Sequence, residues 1–405
     1  MMRILHTSDW HLGAQLYGYD RTEDQRAAIR DIIAVASGRD VDAVVVSGDV
    51  FDVSAPSSMS QRMLSELLAE MRQRCPRARI ILTAGNHDGG SRLQAFSDVF
   101  DIAGINVVGL AGRTDLPSTF VRRLVVEIPG KGYIIALPYI NSRNINDAFR
   151  SALSRAVDGL DPALPVVLMA HQAVEGCVFR GHSSVGEAVG GVAMIRSDCF
   201  GGVADYVALG HIHKPQTLSG GHARYSGSPL QISFDEDYAH SVTVVDIACR
   251  GADPVIEEVV LEVRRPLVTL GGEKGMSVDE ALCRAHLEAD PATATLSPGS
   301  FVRMNFSLAA GQMLEPSLEA EIRNCISEAG CTFVLSAFSV CRPLEEDDGA
   351  HNLTVAEFKK LRPLDVALDY CRRTGRGLTD DQIALFNEIT AGVEAGSDND
   401  DDETA

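Results

Sequence analysis

The chain has 405 residues, of which 45% are hydrophobic, and a formal net charge of −20. That length predicts two or three domains, and the acidic balance excludes an autonomous nucleic-acid binder working through bulk positive charge. No apolar run of about 18 residues occurs, so no membrane span is expected. The chain enters a strand at once, with no basic and apolar leader, and its nine cysteines form no C-x-x-C pair. Both features predict a reduced, cytoplasmic protein.

Residues 3–8 read as the first strand, followed by a loop at 12–19. Asp20 or Thr22 caps a helix running to about Ser37, with Ile29, Ile32, Ile33 and Ala36 on one face. Residues 43–48 form the second strand. Residues 57–74 read as an amphipathic helix packing through Met59, Met63, Leu64, Leu67, Leu68 and Met71. Arg79–Thr83 is the third strand, followed by a helix from about Ser91 to Ile102 and a strand at 105–109. Residues 120–138 give two strands, 144–157 a helix, and 166–170 another strand. A glycine-rich loop spans 172–191, where His182 reads as a solvated loop histidine. Strands at 206–210, 241–248 and 255–263 complete this part. Strands alternating with helices across short loops predict an α/β fold with a parallel central sheet covered by helices.

Arg264-Arg265-Pro266 marks a domain boundary after residues 1–265. Residues 266–342 read as a small α+β capping unit, with helices at 277–289 and 315–328 between three strands. Residues 343–392 comprise an acidic linker and helices from 354, which either pack on the cap or dock onto a partner. Residues 393–405 form an acidic tail that reads as disordered.

Five of the strands share one property: each delivers Asp, Asn or His at its C-terminal end. The first leads into Asp9-Trp10-His11 and the second into Asp49. The third runs through Gly85 into Asn86-His87-Asp88, and the last two end at His171 and at His211-Ile212-His213. Sites in open α/β sheets form at the carboxyl ends of strands, so pattern and chemistry agree. Carboxylate and amide oxygens mixed with imidazoles, and no thiolate, suit a pair of divalent ions such as Mn²⁺, Fe²⁺ or Zn²⁺.

These blocks, D-x-H, G-D, G-N-H-D, H and G-H-x-H, resemble the calcineurin-like metallophosphoesterase superfamily, and the resemblance covers residues 1 to about 250. It implies a core of β-sheets flanked by helices and a two-ion site. Asp49 would bridge the ions, with Asp9, His11 and His213 completing one shell and Asn86, His171 and His211 the other. In that assignment His87 is left for catalysis, and Asp88 orients it by accepting its second ring N–H. His6 reads as a buried strand residue, and Asp52 as either a loop cap or a substrate contact. His222, His240, His286 and His351 carry no signal.

Three stretches narrow the resemblance: Ile4-Leu5-His6-Thr7-Ser8-Asp9-Trp10-His11-Leu12-Gly13, Asp205 through Gln216, and Tyr225 through Glu236. They are similar to the bacterial SbcD-like nuclease family. The resemblance implies a Mn²⁺-dependent DNA nuclease with double-strand exonuclease and hairpin or single-strand endonuclease activities in recombination and repair. It also implies a homodimer paired through helices of the core, for which those at 57–74 and 91–102 are the candidates. Two nuclease chains would join two chains of SbcC, a coiled-coil ATPase, held by the C-terminal helices. Two other readings share the motifs: a stand-alone phosphatase or cyclic-nucleotide phosphodiesterase, and a scaffold that has lost catalysis, against which the intact motifs argue.

Overall fold

The β-branched runs form strands, but they pair into two sheets rather than one central sheet. The computed structural model describes residues 1–111, 122–179, 194–218, 220–309 and 313–341, with Leu364 and Ile383. In chain order the first strands are β1 (Met2–Thr7), β2 (Gln15–Leu16), β3 (Tyr19–Asp20), β4 (Ala43–Ser47), β5 (Arg79–Thr83) and β6 (Ile105–Val108). There follow β7 (Val125–Ile128), β8 (Gly132–Ala136), β9 (Val166–His171), β10 (Tyr206–Gly210), β11 (Gln216–Thr217) and β12 (Ala223–Tyr225). The last are β13 (Ser241–Ile247), β14 (Val255–Val260), β15 (Leu267–Leu270), β16 (Phe301–Ala309) and β17 (Thr332–Cys341).

One six-stranded sheet has the order β14-β13-β1-β4-β5-β6, and the other β11-β12-β10-β9-β8-β7. Each has a parallel stretch, β1-β4-β5-β6 and β12-β10-β9-β8, with antiparallel strands at one margin of the first sheet and at both margins of the second. Side-chain alternation explains the layering. Ile4, Val45 and Ile81 point into a core shared with Ile134, Leu168 and Ala208 of the other sheet. Leu5, Val44, Val46, Ile80 and Leu82 face the opposite way and pack against Ile29, Ile32, Ile33, Leu67 and Met71 of the covering helices. Both faces of these strands are therefore buried, which is why the sequence shows continuous apolar runs. Such runs announce burial but not the neighbour, so they do not disclose the division into two sheets.

The covering helices are Thr22–Arg39 and Ser58–Arg74. Asp20 accepts the Thr22 N–H at 3.0 Å, and Ser57 caps the second helix by accepting from Ser60 N–H at 3.1 Å. Met59, expected to pack, is exposed, while Met63, Leu64, Leu67, Leu68 and Met71 are buried. The region expected as a helix from Ser91 to Ile102 is broken into Gly90–Leu93, a 3₁₀ turn at Gln94–Phe96, and Ser97–Ile102.

After the two large sheets, β15, β16 and β17 form a three-stranded parallel sheet linked by helices Val278–Ala289 and Pro316–Glu328. Ser277 and Glu280 close a capping box on the first of these helices. By internal contacts the chain divides into Met1–Cys341 and Arg342–Ala405. The linker, the helices from 354 and the acidic tail lie, apart from Leu364 and Ile383, outside the described residues, as does His182. Among the described residues no helix is long and apolar enough to cross a membrane.

Candidate metal centre

The C-terminal ends of the parallel strands of both sheets open onto one place. The loops after β1 and β4 continue side by side: Asp9 N–H donates to the Gly48 carbonyl and His11 N–H to the Asp49 carbonyl, both at 3.0 Å. Asp9, His11, Asp49 and His211 have φ of 53°, 43°, 48° and 96°. Non-glycine residues seldom adopt this left-handed region, and such strain gathers at functional sites. Gly85 permits a close approach, because a Cβ there would lie 2.1 Å from Asp49 Oδ1.

All seven residues read as ligands meet in this cluster. Candidate ligand atoms of Asp9, His11 and His213 lie within 4.8 Å of one another, as do those of Asp9, Asp49 and His171. Asn86 Oδ1 joins the second group, 3.0 Å from both His171 Nε2 and His211 Nδ1. Asp49 reaches both sides, its Oδ2 3.2 Å from His171 Nε2 and 3.7 Å from His11 Nε2.

The hydrogen-bond partners fix the imidazole tautomers. His171 Nδ1 lies 2.8 Å from the Ser47 carbonyl and must carry a proton. In the neutral ring its Nε2 then presents a lone pair to two further acceptors, Asn86 Oδ1 and Asp49 Oδ2. His11 Nδ1 lies 3.2 Å from Asp52 Oδ1 and His213 Nδ1 lies 2.9 Å from Glu236 Oε1. Their Nε2 atoms therefore face each other at 3.2 Å, lone pair to lone pair in the neutral rings. Acceptors converging in two places need a cation at each, either an added proton or a metal ion, and the donor set fits divalent ions.

Without metal, protons take up that role. Burial disfavours the charged form of His11, but the Asp52 hydrogen bond and the Asp49 and Asp9 carboxylates outweigh it and push the ring up to about 9. Burial opposes charge on His171 as well, and Asp49 again prevails, pushing it up to about 9. Burial would raise the pKa of Asp49, but His171 and His11 hold it well below the usual carboxylate range.

His87 stands at the exposed edge of the cluster, its ring edge-on to His11 with centroids 4.9 Å apart. Its backbone N–H donates to Asp49 Oδ1 at 2.9 Å, and its Nδ1 lies 2.9 Å from the Asp52 carbonyl oxygen. This corrects the expectation for Asp88. The Asp88 carboxylate accepts instead from the backbone N–H groups of Gly85, Val50 and Phe51, at 2.9, 3.1 and 2.9 Å. The His87 ring nitrogen is directed to the Asp52 carbonyl rather than to this carboxylate, and Asp88 braces the Asp49 loop against the Asn86 loop. Burial and the neighbouring Asp49 charge push it up to about 6, against those amides.

The sequence assigns no supporting role to three further participants. Asp52, left between a cap and a substrate contact, holds His11 with its carboxylate and His87 with its carbonyl. Glu236, which in sequence is only the end of a motif, is fully buried behind His213. Tyr139 faces His171 and His211, with ring centroids 6.3 and 6.4 Å away. The Asp52 signal is its place three residues after Asp49; Tyr139 gives none. His6 is buried as expected, placed to accept from the Tyr206 hydroxyl at 2.9 Å and donate to the Leu209 carbonyl at 3.2 Å across the two sheets.

Residues 2–215 match the calcineurin-like phosphoesterase family. Among curated proteins the chain is similar to the SbcD component of nuclease SbcCD from Rhodobacter capsulatus, 35% identical over 62% of this chain and 68% of that protein. The corresponding protein of Bacillus subtilis is 34% identical over 68% of this chain and 74% of its own length. That of Escherichia coli K12 is 30% identical over 67% and 71%.

Proposed function

The chain belongs to the calcineurin-like phosphoesterase family and is a relative of the SbcD proteins, and on that premise we propose that it is a two-metal-dependent DNA nuclease. The family makes it a hydrolytic, metal-dependent phosphoesterase. The proposal adds double-strand exonuclease and hairpin or single-strand endonuclease activities, with Mn²⁺ as the metal. The observation that carries it is the convergence of acceptor atoms at two adjoining points, with Asp49 between them.

Asp9, His11 and His213 would hold one ion and Asn86, His171 and His211 the other, with Asp49 shared. When bound, such ions neutralise phosphodiester charge and lower the pKa of the attacking water. The chain's own part is to orient and to move a proton. His87 Nδ1 faces a carbonyl and so donates its proton there, which turns Nε2 to the open side of the ring. From there the imidazolium form gives a proton to the leaving oxygen, or hydrogen-bonds to the phosphate. Asp88 and the Asp52 carbonyl hold the loops that set this ring.

The relatives are named as components of SbcCD, and this supports a partnership with an SbcC-like coiled-coil ATPase and with DNA. Two nuclease chains and two ATPase chains would form the complex, in the cytoplasm. Such a partner would supply the DNA attraction that a net charge of −20 does not. Met59, Val99 and Ile102 are exposed apolar side chains on the helices assigned to pairing of two nuclease chains, which supports that assignment. The capping role of residues 266–342 and the docking role of the helices from 354 belong to the same proposal.

The test is cleavage of an end-labelled DNA hairpin with Mn²⁺ by the wild type and by His87→Ala, each without and with the ATPase and ATP. Cleavage by the wild type but not by the variant, increased by the ATPase, is expected. Turnover of a small phosphodiester without DNA cleavage in any mixture would replace the nuclease by a stand-alone phosphodiesterase.

A further inference from the structure

Glu236 is a fully buried carboxylate beside the centre that belongs to neither ligand set. Its Oε1 lies 2.9 Å from His213 Nδ1, and its Oε2 accepts the Ile232 N–H at 2.8 Å. Among the described residues no other side chain hydrogen-bonds to it, although His240 and Arg21 lie near enough to feel its charge. His240 Nε2 is 3.8 Å from Oε2, beyond hydrogen-bonding distance, while His240 Nδ1 sits 2.9 Å from the Ser228 carbonyl. The nearby Arg21 Nε donates to Asp24 at 2.6 Å. A buried carboxylate needs donors; the side-chain donor to Oε1 is the His213 ring, and the Ile232 N–H serves Oε2.

Resting on the two-ion reading above, we propose that Glu236 is a positioning residue for one ion only. It keeps the His213 proton on Nδ1 and so turns the Nε2 lone pair toward His11 and Asp9. A carboxylate on the far nitrogen also makes the imidazole a stronger donor. In the other set His171 is anchored instead by the Ser47 backbone carbonyl, which no side-chain substitution removes. The two sets thus differ in one imidazole each: His171 rests on backbone, His213 on a replaceable carboxylate in the segment following β12.

Mn²⁺ titration by calorimetry and electron paramagnetic resonance on the full chain tests this, with Glu236→Gln and the neighbouring Asp235→Asn. Asp235 is a control because its carboxylate pairs with Arg303 of β16 at 2.8 Å rather than with the centre. The wild type is expected to bind two ions with spin coupling between them. Glu236→Gln is expected to leave one binding step in place and weaken the other by about 10- to 100-fold, with a mononuclear signal at ion ratios that fill the wild type. Asp235→Asn is expected to match the wild type. Glu236→Asp, should the glutamine variant not fold, keeps the charge on a shorter arm and is expected to weaken the same step only. Both steps weakened together, neither weakened, or an equal loss in Asp235→Asn would overturn the inference while leaving the two-ion reading intact. A wild type that binds fewer than two ions would overturn that reading and this inference with it.

Discussion

At the scale of single residues, Asp49 and His87 divide the labour. Asp49 touches both imidazole groups through one oxygen and the His87 backbone through the other. Asp49→Ala is therefore expected to lose both ions in elemental analysis. His87→Ala is expected to retain both and lose hydrolysis by 100-fold or more, of the order assigned to general acid–base groups, about 10²–10⁴-fold. Loss of metal from the His87 variant would contradict this division. The pH response of metal-free protein follows from His11 and His171. Both are raised from 6.5 to about 9 in the folded chain, so the stability they contribute is full below pH 6.5 and is lost as pH rises through 9. The melting temperature of metal-free protein should fall across that window; a flat profile would contradict the raised titration of these two rings. The residues legible in the sequence are those whose type announces their chemistry, Asp, Asn and His at strand ends. Asp52 is legible only as a candidate, and Glu236 and Tyr139 not as site residues, because a supporting group is defined by what it touches. Asp88 shows the same limit: its neighbour in sequence is His87, but its neighbours in space are three backbone amides.

At the scale of elements, the site is held by how strands end. His171 closes β9 and His211 follows β10, and these two strands pair in parallel with Gly210 opposite His171. Gly210 is packed without slack: a Cβ would lie 1.8 Å from the Ser47 carbonyl oxygen and 2.8 Å from His171 Nδ1. Since the first of these is backbone, it cannot swing aside. Gly210→Ala is expected to destabilise by about 1–3 kcal/mol, as overpacking does, and to weaken metal binding through the displaced His171. Chemical denaturation compared with the wild type measures this, and an unchanged midpoint would show that the two sheets are not pressed together here. Strands and most helices are legible from apolar periodicity. The pairing into two sheets is not, because β1, β4 and β5 read like β9 and β10, and long-range partners leave no local period. The break at Gln94–Phe96 is hidden because nothing in its composition forbids a continuous helix.

At the scale of the whole molecule, the chain proposed to cut a polyanion is itself acidic, and the proposed ATPase partner resolves the conflict. Deleting residues 354–405 is expected to abolish co-purification with the ATPase while leaving Mn²⁺ binding by residues 1–341 intact. Undiminished co-purification would place the docking surface elsewhere. The central claim is that strand ends from two facing sheets assemble one centre for two ions. Anomalous diffraction from crystals grown with Mn²⁺ tests it most directly. The account predicts two peaks, one among Asp9, His11 and His213 and one among Asn86, His171 and His211, with Asp49 in contact with both. A single peak, or peaks away from Asp49, would contradict it.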